Sequence, residues 1–287
     1  MHVGFSSMNT HRQVPPAELA VVVEERGFDS LWYGEHSQIP VDRRSPHPRD
    51  AELADPYKFM MDPYVSLSVA ASVTRSVKLG TSVSLLLERE LFSQAKTMMT
   101  LDRVSEGRLM VGAGVGWNQE QFENATSLPW RRRFTALRET VEALRVLWTE
   151  ELAEYHGELI DFDPVWCNPK PIQEPGPPIL FGAMGPLGLH HTAAWADGWM
   201  PLDVHLEDPA ASIADMRRRV AEEGRDAESF DITMLLMSRV TLEKLERYRA
   251  LGVDRCLVGV GMQDWDKPEV QLREIDRLAE LVAKLGD

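Results

Sequence analysis

The sequence predicts an α/β fold, a single TIM barrel of the (β/α)8 type that spans residues 1–287 and carries inserted loops and a small hairpin. Short apolar runs alternate with amphipathic segments along the whole chain, and eight of these runs are each followed by a helical segment. Continuous apolar runs are typical of parallel strands that are buried on both faces. The length of 287 residues also suits one barrel. An open doubly wound sheet is the alternative.

The first half of the chain supplies four of the strands. They are expected at His2–Ser7, Ser30–Tyr33, 77–83 and 109–114, and the helices at 15–26, 62–74, 93–105 and 131–149. Gly27 follows the first helix as a C-terminal cap, and Pro63 stands in the first turn of the second. The helix at 131–149 has an apolar stripe that predicts core packing.

The second half begins with a small hairpin at 155–162 and a proline-rich loop, and then returns to the strand–helix alternation. Its strands are expected at 179–182, 198–202, 232–240 and 255–260, and its helices at 187–196, 209–223, 242–251 and at the C-terminus. The connection after the seventh strand is short, which leaves little room there for substrate contacts.

Composition and charge exclude several function classes. No apolar run approaches the roughly 20 residues of a membrane span, and the N-terminus lacks the pattern of a signal peptide, so a cytoplasmic protein is expected. A formal charge of −14 argues against nucleic acid or an anionic membrane as a partner. The arginine triplets at 131–133 and 217–219 are more typical of solvated helix faces than of anion sites. A small-molecule substrate is therefore the expected partner.

Metal and nucleophile chemistry find little support in the sequence. Cys167 and Cys256 are far apart and form no CxxC pair, so neither a disulfide framework nor a zinc site is indicated. His190 and His191 are adjacent on a helix and cannot share one face, and no HxH or HExxH motif occurs. The sequence also lacks the GxSxG elbow of a serine nucleophile.

Polar residues and glycines collect where the predicted strands end, and barrel enzymes place their active sites at these carboxyl ends. Glu35 and His36 end the second strand, and a histidine there can exchange a proton near neutral pH. The alternative is a histidine that only caps the strand. Residues 37–61 form a long polar segment after this pair, and its length predicts a lid or binding loop.

Two glycine-bearing turns lead from strands into helical segments. The first contains Gly114, Val115, Gly116 and Trp117, and the second contains Gly182, Ala183, Met184 and Gly185. Backbone N–H groups in such turns, aided by the positive end of a helix, can hold a phosphate. Each turn alone could equally be structural, and the first does not fit the dinucleotide fingerprint. Two such turns at one barrel mouth favour a phosphorylated cofactor.

Several segments together resemble the bacterial luciferase-like monooxygenase superfamily, and more narrowly its coenzyme F-420 (deazaflavin)-dependent branch. The segments are SLWYGEH, PVDRRSPHPRDAELADPY, VKLGTSVSLL, AKTMMTLDRVSEGRLMVGAGVGWNQEQFE, YHGELIDFDPVWCNPKPIQEPGPPILFGAMGP and a degenerate AADGW at 193–199. The resemblance covers nearly the whole chain.

The resemblance implies that an isoalloxazine-type ring lies in the barrel mouth. A non-prolyl cis peptide that supports the ring in the family matches Ser82-Val83, and the family's acid-histidine pair matches Glu35-His36. Here the acid is Glu where related enzymes often have Asp, so its contact is open: it touches the ring or orients His36. The family's phosphate turns match 115–117 and 182–185.

Trp117 departs from one branch of the family. The sugar-phosphate dehydrogenases have a catalytic glutamate where this chain has Trp117, so a sugar-phosphate substrate is not expected. The resemblance implies a hydride transfer between F-420 and another organic substrate, with His36 supplying or accepting the proton. The alternatives are an FMN-dependent monooxygenase of the same fold and a cofactor-free small-molecule-binding barrel.

A homodimer is also expected. The helices after the second and third strands carry apolar residues beyond a single stripe, namely Val65, Leu67, Val69, Met98 and Met99. Dimerisation is common in the family.

Overall fold

A computed structural model describes residues 1–46 and 52–286, which contain ten strands and nine helices. The strands are β1 His2–Ser7, β2 Ser30–Tyr33, β3 Lys78–Ser84, β4 Leu109–Ala113, β5 Ala153–His156, β6 Asp161–Val165, β7 Ile179–Phe181, β8 Gly198–Trp199, β9 Asp231–Leu235 and β10 Arg255–Gly259. The helices are α1 Pro16–Glu25, α2 Pro63–Val73, α3 Leu91–Val104, α4 Gln119–Ala125, α5 Arg133–Thr149, α6 Gly185–Trp195, α7 Pro209–Glu222, α8 Leu242–Ala250 and α9 Pro268–Gly286.

Eight of the strands close into a barrel in the order β1-β10-β9-β8-β7-β4-β3-β2, and all of their pairings are parallel. The predicted TIM barrel is therefore confirmed. The predicted hairpin is confirmed as well, since β5 and β6 pair antiparallel with Tyr155 opposite Phe162. Because the barrel strands run in one direction, their carboxyl ends form a single mouth where side chains from separate strands can meet.

Side chains fill the interior of the barrel. Trp32 and Met200, both fully buried, belong to an apolar cluster inside the ring of strands. A Cβ atom at Gly80 would lie 2.1 Å from the Trp32 ring, and one at Gly112 would lie 2.7 Å from the Met200 sulfur. The glycines thus make room for the large side chains opposite them, and the barrel is a packed core instead of a pore.

Two predicted strands end three or more residues earlier in the structure. The seventh ends at Leu235 instead of continuing to residue 240, because the Met237 N–H donates to the Asp203 carboxylate at 2.7 Å and leaves the ladder. The sixth spans only Gly198–Trp199, although Leu202 still forms a bridge with Leu235. Both departures open the barrel wall at its mouth, where loops replace strand.

The helices expected to form a dimer interface bury much of that apolar surface within the chain. Leu67, Met98 and Met99 are fully buried, whereas the side chains of Val65 and Val69 are 66% and 40% exposed. The first three belong to the core, and homodimerisation stays a prediction that rests on the exposed face of α2. No helix in the described ranges is both long and apolar enough to cross a membrane.

Candidate active site

The predicted site residues lie at the carboxyl ends of four strands that are neighbours in the barrel wall. They are Glu35 and His36 after β2, Ser82 and Val83 in β3, 114–117 after β4 and 182–185 after β7. Since β7, β4, β3 and β2 are consecutive in the barrel, these residues share one side of the mouth. The centre of the predicted loop, residues 47–51, lies outside the described residues.

Val83 is the point where three strand ends meet. The peptide bond between Ser82 and Val83 is cis, as the family resemblance implied. A Cβ atom at Gly114 would come within 2.6 Å of the Val83 side chain, and one at Gly182 within 2.9 Å. Only glycine at both positions lets the backbones of β4 and β7 approach Val83 this closely. Gly114 and Gly182 therefore have a packing role that the sequence could not separate from ligand binding.

Gly116 and Gly185 have a different reason to be glycine. Their φ angles are +73° and +78°, a backbone conformation that side chains disfavour, and a Cβ atom at either would touch nothing within 3.5 Å. Within the described ranges, the backbone N–H groups of Val115, Gly116 and Met184 donate to no backbone or side-chain group. Unpaired amides next to helix starts suit a phosphate group.

Trp199 orients the second turn. Its buried indole Nε1 donates to the Ala183 carbonyl at 3.0 Å. Because the C=O and N–H of one trans peptide point in opposite directions, this bond turns the Met184 N–H away from Trp199. The core thus fixes the direction of an amide donor in the turn.

Glu35 forms its hydrogen bonds with residues at and after the end of β3. Its buried carboxylate accepts hydrogen bonds from the Ser84 hydroxyl at 2.6 Å and the Leu85 N–H at 2.9 Å, and it pairs with Arg89, whose Nε lies 2.6 Å away. Two roles were expected for Glu35, contact with the ring or orientation of His36. Among the described residues, Glu35 and His36 share no hydrogen bond that would support direct orientation. The reason is that both carboxylate oxygens are bonded to groups that follow Val83.

Arg89 extends this network to the start of α2. Its Nη2 lies 2.5 Å from Asp62, whose other oxygen caps α2 by accepting the Val65 N–H. The guanidinium also lies 4.7 Å from the centre of the Tyr64 ring, and Tyr64 donates to the Ser84 hydroxyl at 3.1 Å. A partly buried ion pair with further hydrogen bonds therefore holds the residues after the cis peptide in place.

His36 is held by α4. Its Nδ1 lies 2.6 Å from Oε1 of Gln121, and Nε2 of the same amide donates to Glu88 at 2.7 Å. When Glu88 is ionised, its carboxylate only accepts hydrogen bonds, so Gln121 then presents its nitrogen to Glu88 and its oxygen to His36. His36 then carries its proton on Nδ1, and Nε2 carries the lone pair. Two residues thus set the tautomer of the histidine.

Glu88 is a site residue that the sequence interpretation missed. It lies in the short turn Leu86–Glu88 after β3 and also accepts a hydrogen bond from the Ser37 hydroxyl at 3.2 Å. Burial raises the pKa of Glu88 from 4.5 to about 7, against the lowering effect of the bonds from Gln121 and Ser37. Carboxylates with such shifted pKa values are concentrated at functional sites. Its position after a strand end was a signal that the sequence did offer.

The described parts of the long segment after β2 pack beside His36. Tyr57 and Trp117 each place an aromatic ring edge-to-face with the imidazole, with centroids 5.2 and 5.8 Å away. Arg44 lies 3.2 Å from Glu120, and the Gln38 amide donates to the Gln121 carbonyl at 2.9 Å. The described parts of the predicted loop therefore cover the histidine and dock on α4, as a lid would.

A cavity of about 340 Å³ opens on the other side of the mouth, where β9, β10 and β1 end. It borders the predicted site at Ser6, whose hydroxyl lies 3.0 Å from the Ser82 hydroxyl. None of the predicted site residues lines this cavity. In the described ranges, no three His, Cys, Asp or Glu side chains form a group that could hold a metal ion.

Comparison with known proteins decides the family. The profile of the luciferase-like monooxygenase family matches residues 6–279. The chain belongs to the luciferase-like monooxygenase family. In this luciferase-like protein, the match includes the ends of all eight barrel strands and both glycine turns.

Relatives of this luciferase-like protein include proteins of Mycobacterium tuberculosis and Methanolobus tindarius. An uncharacterised protein of Mycobacterium tuberculosis is 40% identical over 266 residues, which cover 91% of this chain and 92% of the relative. The 5,10-methylenetetrahydromethanopterin reductase of Methanolobus tindarius is 27% identical over 217 residues, which cover 75% of this chain and 58% of the reductase.

Solved structures share the fold of this family member at low sequence identity. An F420-dependent secondary alcohol dehydrogenase, solved with an F420-acetone adduct, superposes with a TM-score of 0.74 at 17% identity and covers 100% of this chain and 99% of its own. The monooxygenase RslO1 of Streptomyces bottropensis has a TM-score of 0.67 at 23% identity and covers 99% of this chain and 83% of its own.

Proposed function

We propose that the protein is a coenzyme F-420 (deazaflavin)-dependent oxidoreductase that transfers a hydride between the coenzyme and an organic substrate other than a sugar phosphate. The observation that carries the proposal is the meeting of His36, the cis Ser82-Val83 peptide and two glycine turns at the ends of four neighbouring strands. Two proteins of similar fold support the choice of coenzyme, namely the F420-dependent secondary alcohol dehydrogenase and a coenzyme F420-dependent tetrahydromethanopterin reductase.

The described residues fit a flat ring with a phosphate-bearing tail. The backbone N–H groups of Val115, Gly116 and Met184, which donate no hydrogen bond among the described residues, would hold the phosphate. Val83 would support the ring. Asn118, which caps α4 directly after the first turn, has a buried side-chain Nδ2 without a partner in the described residues. A buried donor without an acceptor costs free energy, and an anion near this turn would lower that cost.

The bound coenzyme would supply the hydride chemistry, and this chain supplies proton handling and shielding. When Glu88 is ionised, the proton of neutral His36 lies on Nδ1, and Nε2 is the atom that takes or returns the proton that accompanies the hydride. The Tyr57 and Trp117 rings limit access of water to the imidazole. Glu35 acts indirectly, since it fixes Ser84 and Leu85 beyond the ring support. Trp117 also makes the site more apolar than a sugar phosphate requires.

An FMN-dependent monooxygenase is the second candidate, because similar folds include the monooxygenase RslO1 and a riboflavin lyase solved with modified FMN. Both functions would use the same turns and the same ring support. Soluble cytoplasmic expression and a homodimeric state belong to the proposal and are checked by cell fractionation and light scattering.

Titration of the purified protein with F-420 and, separately, with FMN tests the proposal through quenching of the ring fluorescence. We expect saturable binding of F-420 and weak or no binding of FMN. Tight binding of FMN without binding of F-420 would contradict the proposal and favour the monooxygenase. Binding of neither ring would favour a cofactor-free barrel.

A further inference from the structure

The cavity beside Ser6 is lined by residues outside the proposed coenzyme site. Its lining comes from the carboxyl ends of β1, β9 and β10 and from one face of α9, including Gln271, Glu274 and Arg277. Its floor is formed by Leu235 and Leu257, which belong to the interior of the barrel. A cavity of about 340 Å³ is large enough for a small organic molecule.

Gln13 offers this cavity an unused hydrogen-bond donor. Its side chain is only 7% exposed, and its Oε1 accepts hydrogen bonds from the Thr10 N–H and the Ser7 hydroxyl, both at 3.1 Å. These bonds fix which end of the amide is oxygen, because a backbone N–H can only donate. The Nε2 of Gln13 then has no acceptor among the described residues, and Gln13 lines the cavity. A donor that lines a cavity and has no acceptor among the described residues is available to an acceptor on a ligand.

Arg239 gives the cavity an uncompensated positive charge. Arg277 is neutralised by Glu274, with Nε and Nη2 lying 2.8 and 2.6 Å from the two carboxylate oxygens. Arg239, which also lines the cavity, makes no ion pair with any residue in the described ranges. The cavity wall is thus net positive in a chain whose formal charge is −14. Such a local reversal of charge favours an anionic ligand.

The loop that carries Arg239 is fixed in place. Asp203 accepts the Met237 N–H at 2.7 Å and the Lys244 ammonium at 3.1 Å, and it also accepts the Ser238 hydroxyl. These bonds tie both ends of the short connection between β9 and α8 to the neighbouring strand end. A guanidinium on a fixed loop loses less entropy when it binds an anion.

Apolar side chains form part of the cavity wall. Met8, Val258 and Trp265 line the cavity, and the Trp265 ring is stacked on Phe59 with centroids 5.6 Å apart. Arg12 covers the same Phe59 ring at 4.1 Å. An apolar body can therefore lie between the donor of Gln13 and the charge of Arg239.

We propose that this cavity binds the substrate, and that the substrate is an organic acid with an apolar body, an acceptor oxygen bonded by the Gln13 amide and a carboxylate paired with Arg239. The role of this acid as the substrate rests on the proposed function, whereas its binding in the cavity does not. The contact between Ser6 and Ser82 places the cavity beside the ring support, where a molecule that exchanges a hydride must lie.

Calorimetric titration of the coenzyme-free protein tests the proposal with octanoate, octylammonium and 7-oxooctanoate. We expect octanoate to bind, octylammonium not to bind, and 7-oxooctanoate to bind more tightly than octanoate because its ketone can accept from Gln13. Arg239→Gln should weaken octanoate binding about tenfold, the usual effect of one lost charged hydrogen bond. Arg131→Gln removes the same charge from an exposed position outside the cavity and should leave octanoate binding unchanged.

Gln13→Glu is the second variant. It keeps an oxygen for the Thr10 N–H and Ser7 but replaces the Nε2 donor by an acceptor, so we expect the gain from the ketone to disappear. Equal binding of octanoate and octylammonium, or equal effects of Arg239→Gln and Arg131→Gln, would overturn the proposal. Displacement of bound octanoate by F-420 would also overturn it while leaving the proposed function intact. Acid binding without F-420 binding would support the cavity and contradict the proposed function.

Discussion

Nδ1 of His36 lies 2.6 Å from Oε1 of Gln121, a residue 85 positions later in the chain. The same amide reaches Glu88 through its nitrogen, so α4 joins the ends of β2 and β3 through one side chain. A catalytic histidine needs a defined tautomer as much as a defined position. Gln121 provides both.

Gln121→Leu should lower kcat on the order of tenfold or more, because His36 would no longer be held with its proton on Nδ1. Coenzyme affinity should change little, since Gln121 is not in the glycine turns. Steady-state kinetics measures the first effect, and ¹⁵N NMR shifts of the imidazole report the tautomer directly. Gln119→Leu is the matched control, as that amide lies on the same helix and bonds only Glu123 on the surface. Equal losses in both variants would contradict the role of Gln121.

Glu88→Gln should remove a pH dependence of stability. The raised pKa of about 7 means that the folded protein keeps a proton that the unfolded chain loses near pH 4.5. The free energy of unfolding therefore falls as pH rises from 4.5 to 7, by about 2–3 kcal/mol for a shift of this size. Glu35 raises and Arg89 lowers the pKa of Glu88, so both stay unchanged in the test.

Urea unfolding at pH 5 and pH 8 measures this difference for the wild type and for Glu88→Gln. We expect a smaller loss of stability between the two pH values in the variant. Protonation of Glu88 below pH 7 also lets it donate to Gln121, which would turn the amide and move the His36 proton to Nε2. An unchanged pH slope in the variant would refute the assignment of the titration to Glu88.

Glu35→Gln should destabilise the fold by about 3 kcal/mol, because among the described residues it leaves the partly buried Arg89 with only Asp62 as a salt-bridge partner. Glu222→Gln breaks an exposed pair with Arg218 and should cost less than 1 kcal/mol. Urea denaturation of both variants compares the two losses. If Glu35→Gln were as mild as the surface control, the ion pair would not be what holds the end of β3.

Gly116→Ala should weaken coenzyme binding, because a methyl group would stand beside the N–H groups of the first turn that are proposed to bind the phosphate. The positive φ of +73° also costs about 1 kcal/mol for alanine. Gly224→Ala carries the same backbone cost, since Gly224 has a φ of +72° and open space around it, far from the mouth. Comparable coenzyme affinities in the two variants would remove Gly116 from the binding site.

His36→Ala should retain coenzyme but lose turnover, by on the order of a hundredfold or more. The imidazole is expected to handle the proton and not to bind the phosphate. Titration of the ring fluorescence should therefore show unchanged coenzyme affinity, while the turnover assay shows the loss. His190→Ala, on the outer face of α6, serves as the control. Full activity of His36→Ala would exclude this residue from the mechanism.

The sequence predicted the barrel and one side of its mouth because both depend on local patterns. Apolar runs and capping glycines specify strands and helices, and His36, Ser82 and Val83 stand where strands end. Gln121 and Gln13 could not be identified in the same way. A glutamine in a polar helix or loop resembles any solvated residue until distant segments bury it, and here burial leaves both nearly inaccessible.

The glycines show the same limit in another form. All four stand in similar strand-to-helix turns, yet two accommodate Val83 and two permit a positive φ. What separates these roles is the distance to a side chain on a neighbouring strand, which no single turn encodes. The predicted extent of the seventh strand was wrong for a related reason, since Asp203 accepts the Met237 N–H that the apolar pattern assigned to the sheet.

The packed interior of the barrel has a consequence for the order of events in a catalytic cycle. With Trp32 seated over Gly80 and Met200 over Gly112, no passage runs along the barrel axis. Coenzyme and substrate must then both enter and leave at the mouth formed by the carboxyl ends of the strands. Whichever of the two sits deeper has to arrive first and depart last, so product-inhibition patterns should reveal a compulsory sequence of binding.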